Sequence, residues 1–168
     1  MSDAENVLSG RAWKFDHDIS TDLLSPGMYA VDTVEVRMLH CLESVNPDFA
    51  SDVRPGDVVI AGRNFGCGSS RETAPENLKA LGISCVAAES LSRLFMRNAV
   101  AIGLPVLICA GVHEAFDDGD QVAIDLAAGT IASSDGKHQL QGESLPPEMR
   151  EILAAGGILS LLHSQTAG

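Results

Sequence analysis

Two glycines, two hydroxyls and a guanidinium fall within one short stretch, Gly66-Cys67-Gly68-Ser69-Ser70-Arg71, between the apolar run Val58-Val59-Ile60-Ala61 and a segment of helical character. A strand-to-helix turn of this composition suits an anion. Glycine lets the backbone approach a ligand closely, and the first free amides of a helix face it with the positive end of the dipole. Arg71 can hold a carboxylate bidentately, beside a serine hydroxyl that moves a proton. Serine is a poor base in water, so its alkoxide would need the loop amides, the helix start and Arg71 to stabilise it. A plainer role is open at the same residue, because Ser69-x-x-Glu72 and Thr73-x-x-Glu76 both fit a capping box. A short turn over 69–72 with the main helix from about 73 is expected.

Other loop chemistries do not fit. A P-loop needs Gly-Lys-Ser/Thr, a dinucleotide fingerprint needs a third glycine where Arg71 stands, and the spacing of a nucleophile elbow is absent. Oxygen side chains recur through Asp16-His17-Asp18-Ile19-Ser20-Thr21-Asp22, but a calcium loop needs Gly where Thr21 sits and Glu where Gly27 sits. That segment reads as a polar turn or a substrate-facing loop. His40 and Cys41 lie on an expected helix without further ligands at helical spacing, so no metal site is expected there.

The elements that must position these residues follow from periodicity. A first strand runs from Val7 to Phe15, broken at Ser9-Gly10, and Val34, Met38, Leu39 and Leu42 space an amphipathic helix over 34–44. Strands at 58–61, 83–88 and 106–108 alternate with a helix over 74–81 and one capped by Ser90, whose Leu91, Leu94, Phe95 and Met96 face inward and which Gly103 ends. This is a strand-helix-strand-helix-strand unit with a parallel sheet. Gln121 to Leu126 and Thr130 to Ser133 form an expected antiparallel hairpin. A helix from Pro146-Pro147-Glu148 to Gly156-Gly157 and a strand over 158–162 complete the chain. The expected fold is α/β, a parallel core with added antiparallel strands in one domain over 1–168, ordered over about 10–162.

The net charge of −12 excludes nucleic acid and anionic membrane as general partners, since both need a positive footprint. Residues 63–97 are locally different, with Arg63, Arg71, Lys79, Arg93 and Arg97 against Glu72, Glu76 and Glu89, a net +2. Cys41, Cys67, Cys85 and Cys109 are too dispersed for a C-x-x-C motif and read as reduced thiols of a cytoplasmic protein. The start carries no basic region followed by an apolar stretch, and no run approaches the ~20 apolar residues of a membrane helix. At this length the chain can bury roughly 70% of the surface its unfolded form exposes.

Residues 62–72, the run Ala88-Glu89-Ser90-Leu91-Ser92-Arg93-Leu94-Phe95-Met96-Arg97-Asn98, and Gly103-Leu104-Pro105 together resemble the swivelling-domain subunit of the aconitase superfamily, and within it the 3-isopropylmalate dehydratase small subunits. Asp18-Ile19-Ser20-Thr21-Asp22 and Pro26-Gly27-x-Tyr29 match the first loop of that family, so the likeness runs from about residue 10 to 162. It implies a swivelling β/β/α domain and a cytoplasmic hydro-lyase of two different chains, acting on a small dicarboxylate. It also implies no cofactor in this chain, with a 4Fe-4S cluster in the large subunit as Lewis acid on the leaving hydroxyl. By motif position Ser69 takes the proton, Ser70 and Arg71 hold the carboxylate, and Asp22, Thr21 and Gly68 border the substrate. Two positions depart from the family pattern. Thr73 stands where many members have His after Arg-Glu. Tyr29-Ala30-Val31-Asp32 differs from the Tyr-Leu-Val-Tyr of isopropylmalate-type members and from the Tyr-Leu-Arg-Thr of homoaconitate-type members, with Val31 where the arginine would be. The expected substrate is 2-isopropylmalate or 3-isopropylmalate, with another alkylmalate or homoaconitate, or a non-catalytic acid-binding module, as alternatives.

Overall fold

The runs Val58–Ala61 (β2) and Cys85–Ala88 (β3) are buried at every residue, as parallel strands covered on both faces must be. A computed structural model describes residues 7–167. In it Val7–Lys14 (β1), β2, β3 and Val106–Ile108 (β4) pair in parallel, and Gln121–Asp125 (β5), Thr130–Ser133 (β6) and Gln139–Gln141 (β7) continue the sheet antiparallel from β1. The order across the seven strands is β4-β3-β2-β1-β5-β6-β7.

Alternation along each strand divides the core into two. Val59, Ala61, Val86 and Ala88 point to one face, with Trp13, Phe15, Phe49, Phe65 and Phe95, whereas Val58, Ile60, Cys85 and Ala87 meet Phe116, Ile124 and Ile131 on the other. The first face carries the helices that shape the site: Thr21–Leu24 (α1), Val34–Arg37 (α2), Phe49–Asp52 (α3), Thr73–Ala80 (α4) and Arg93–Ala101 (α5). Val112–Ala115 (α6), Pro147–Ala154 (α7) and Ile158–Thr166 (α8) follow.

Several expectations are corrected, each for a physical reason. β1 is unbroken: Gly10 pairs with Val122, and a Cβ on it would lie 2.0 Å from the Gly56 carbonyl oxygen, so glycine there permits a close approach. The expected helix over 34–44 is only α2 plus a 3₁₀ turn at Met38–His40, because Leu42 takes a left-handed φ of 60° and donates its N–H to Leu23 O. The third expected strand starts at Cys85. Ile158–Leu162 is helical in α8: Ile158, Leu161 and Leu162 share a helical spacing as readily as a strand's, and no strand of the sheet pairs with them. Strand β7 was not expected; three polar-flanked residues carry no periodic signal.

One buried polar contact holds the entrance of β2 to β1. The Asp57 carboxylate accepts from Trp13 Nε1 at 2.9 Å and from the Arg54 amide at 2.8 Å, and Asp57 is only 6% exposed. Asp57→Ala strands two donors, and a loss of about 2–3 kcal/mol in urea unfolding is expected.

Candidate active site

Because β1 and β2 are parallel, the segments that follow them leave the same edge of the sheet, the edge where parallel sheets place their ligands. They continue side by side: Asp18 donates to Arg63 O at 2.9 Å, Gly66 to Ile19 O at 2.7 Å and Thr21 to Cys67 O at 2.8 Å. On the other flank Phe65 donates to Ser90 O at 3.1 Å and Ser92 to Phe65 O at 2.9 Å. The glycine loop is thus stitched between two neighbours before it reaches Ser69. Gly66 holds φ 81° and a Cβ there would come within 2.3 Å of Phe95 Cβ, so the loop can lie on α5 only with glycine at this position. Ser90 serves this loop and not the helix: its hydroxyl accepts the Asn64 N–H at 2.7 Å, whereas α5 is capped by Ser92, which accepts from Phe95 N.

Beyond the stitching, Gly68, Ser69 and Ser70 are exposed. The N-cap of α4 is Glu72, without a side-chain cap, so Ser69 does not cap the helix. Its Oγ lies instead 3.3 Å from Thr21 Oγ1. The backbone N–H groups of Ser69, Ser70 and Arg71 have no acceptor among the described residues and so remain available as donors to a ligand. Arg71 Nη1 donates to Asp22 Oδ1 at 2.9 Å and to the Ser25 carbonyl at 2.8 Å, and its guanidinium lies over Gly27, where the Tyr29–Asp32 loop begins.

Ser69, Ser70, Arg71, Asp22 and Gly68 therefore share one open face. The Asp22 side chain is 70% exposed. Thr21 is 3% exposed and lies beneath the loop, where its hydroxyl meets Ser69. Val31 is 98% exposed on a turn tied down by Arg37, whose Nε donates to Asp32 O at 3.0 Å while Nη2 donates to Glu76 Oε1 at 2.6 Å. Ser25 and Thr73, which sequence reasoning did not place at the site, join it through hydroxyls 2.7 Å apart. Only the positions of Thr73 two residues after Arg71 and of Ser25 three after Asp22 could have signalled this. His40 stacks on Tyr29 at 3.6 Å between ring centres and bonds to Glu43.

Among the described residues, one set of His, Cys, Asp or Glu side chains comes close enough to share an ion, namely Asp16, His17 and His113. Its chemistry is wrong for a ligand set as it stands. His17 Nδ1 accepts the Arg63 N–H at 2.8 Å, so the neutral ring carries its proton on Nε2, the atom that faces Asp16. Burial pushes the Cys41, Cys85 and Cys109 thiols up, in Cys109 with help from the charge of Glu89, which makes all three poor thiolate donors.

Residues 31–109 match the family described as the Aconitase C-terminal domain. The 3-isopropylmalate dehydratase small subunit 1 of Methanopyrus kandleri is 46% identical over 95% of each chain, and the isopropylmalate/citramalate isomerase small subunit of Methanocaldococcus jannaschii is 42% identical over 96% of this chain and 97% of its own. The chain belongs to the 3-isopropylmalate dehydratase small-subunit family of the aconitase superfamily. A solved structure of the M. jannaschii 3-isopropylmalate dehydratase carries the same fold, with a TM-score of 0.90 at 39% identity over 96% of both chains. The aconitase family match takes in Gly68 to Arg71, Thr73 and Val31 and leaves Thr21, Asp22 and Ser25 outside, so part of the candidate site comes from the segment ahead of it. Among the described residues no helix is long and apolar enough to cross a membrane.

Proposed function

We propose that this chain is the small subunit of a hydro-lyase that interconverts 2-isopropylmalate and 3-isopropylmalate, a step of leucine biosynthesis, and that it is active only with a large subunit. The observation that carries this reading is the Ser69 hydroxyl, free of any capping role, beside unengaged amides and within one loop turn of Arg71. Dehydration removes a proton from the carbon next to a carboxylate and a hydroxyl from its neighbour; rehydration adds them back the other way round. Ser69 Oγ takes and returns the proton. The amides of Ser69 to Arg71 and the Arg71 guanidinium stabilise the oxyanion that this requires, and Ser70 and Arg71 hold the substrate carboxylate. Asp22 fixes Arg71 from one side, while Thr21 orients Ser69 from below. A 4Fe-4S cluster carried by the large subunit supplies the Lewis acid that activates the leaving hydroxyl.

Citramalate, a methyl-substituted malate, is a second substrate this loop can accept. One relative is named as an isopropylmalate/citramalate isomerase small subunit, and Ala30-Val31-Asp32 places only one aliphatic side chain at the variable position.

The test is reconstitution. Purified alone, the chain is expected to show no iron-sulfur absorption and no turnover; combined with its large subunit it is expected to interconvert the isopropylmalates. Iron-free turnover by the isolated chain would refute the two-subunit reading. Binding of isopropylmalate without turnover in the reconstituted pair would leave a small-acid-binding module.

A further inference from the structure

We propose that Thr73 is a positioning residue for Arg71, acting through Ser25. The inference rests on the reading of Arg71 as the group that holds the substrate carboxylate. Arg71 Nη1 is anchored at two points, the Asp22 carboxylate and the Ser25 carbonyl. The first anchor is an exposed side chain, 70% open to solvent. The second is backbone and belongs to a residue only 3% exposed, so it sets where the guanidinium sits.

Ser25 nevertheless lies just past the end of α1, at φ −142° and ψ 84°, where no helical hydrogen bond orients its carbonyl. Contacts from outside α1 must do so. Its hydroxyl is 2.7 Å from Thr73 Oγ1, in the first residue of α4, and the carbonyl of the preceding Leu24 accepts from Asn77 Nδ2 at 3.1 Å. Thr73 and Asn77 are four residues apart and occupy the same side of α4. This helix therefore grips the end of α1 at two points, and Arg71, just ahead of the helix, holds it at a third. Ser25 also donates its N–H to Thr21 O at 2.8 Å, so the same short helix joins the Arg71 anchor to the residue beneath Ser69. Without Thr73 Oγ1 the buried Ser25 hydroxyl loses its partner and turns to find another, and the carbonyl under Arg71 moves with it.

The experiment compares Thr73→Val, which keeps the shape and removes the hydroxyl, with Thr73→Ser, which keeps the hydroxyl, in the reconstituted enzyme. A displaced carboxylate-binding group is expected to raise KM for isopropylmalate about tenfold in Thr73→Val with kcat within about twofold of wild type, and Thr73→Ser is expected to restore KM. In the double variant, Thr73→Val is expected to add nothing to the KM effect of Arg71→Lys, because both act on one contact. If Arg71→Lys raises KM and Thr73→Val leaves it unchanged, the proposal is overturned while the role of Arg71 stands. If Arg71→Lys leaves KM unchanged, the role of Arg71 falls and the proposal with it. A Thr73→Val variant that loses kcat and melting temperature together, unrescued by Thr73→Ser, would make Thr73 a structural residue only and also overturn the proposal.

Discussion

Ser69→Ala is expected to lower kcat of the reconstituted enzyme by about two to four orders of magnitude, the scale of a lost general base. The structure makes this a clean experiment. A serine at a helix cap would cost ~1 kcal/mol of stability when truncated, and the kinetic loss would then be mixed with a folding defect. Ser69 caps nothing: α4 begins at Thr73 behind Glu72, and the Ser69 hydroxyl is exposed with Thr21 Oγ1 as its neighbour. The variant should therefore melt within about 4 °C of wild type, the scale of leaving the buried Thr21 hydroxyl without its Ser69 partner. Substrate affinity should hardly move, because Ser70 and Arg71 remain. Normal turnover with a lowered melting temperature would return Ser69 to a structural role.

The contrast between Ser69 and Ser90 shows where the sequence was readable. Both precede helices, and both are residue types that favour caps. Neither is one: Ser92 caps α5, and Ser90 supports the loop through the Asn64 amide. Cap preference is local, whereas the competing partners, Thr21 and Asn64, lie 48 and 26 residues away in sequence. The parallel unit from Val58 to Ile108 was legible because each strand is buried on both faces and so reads as an unbroken apolar run between turns. By the same logic Ile158–Leu162 misled, since a short apolar run carries no period that distinguishes a strand from one face of a helix. Gly10 misled in the opposite direction: a glycine there reads as a break, but the strand runs through it and the missing Cβ lets Gly56 approach.

The glycine loop stood out as a candidate site for a different reason. Glycines at left-handed positions, a paired hydroxyl and an arginine are types that packing alone does not demand, so their clustering stood out. What could not be read was the support. Ser25 and Thr73 are ordinary hydroxyl residues 48 positions apart, and their meeting at 2.7 Å depends on α1 packing against α4. The Arg37 clamp on the Tyr29–Asp32 turn was hidden likewise, because it needs α2 to stop at residue 37 and aim Arg37 at both Asp32 O and Glu76.

Because that clamp holds the Tyr29–Asp32 turn, a single side chain at residue 31 can be exchanged to test its role in substrate choice without rebuilding the fold. Val31→Arg is expected to shift the ratio of kcat/KM between homoaconitate and isopropylmalate toward the tricarboxylate by about 10²-fold, the scale of pairing or stranding a desolvated charge. The argument has two sides. An aliphatic side chain at residue 31 gains roughly 25 cal/mol for each Å² of alkyl surface it covers, but it offers nothing to a third carboxylate, whose unpaired burial costs several kcal/mol. Arginine reverses both, by presenting a planar fork to the carboxylate and a desolvation cost to an isopropyl group. The loop backbone should hold during this exchange, because Arg37 fixes it through the Asp32 carbonyl and Tyr29 stacks on His40, neither of which involves the Val31 side chain. Val31 is 98% exposed in this chain, so the larger side chain meets no neighbour and stability should be unchanged. The measurement is kcat/KM for both substrates in wild type and variant, with citramalate as a third. Wild-type enzyme should prefer the alkylmalates. A preference for homoaconitate or citrate in the wild type, or an unchanged ratio in Val31→Arg, would remove residue 31 from the determinants of substrate choice.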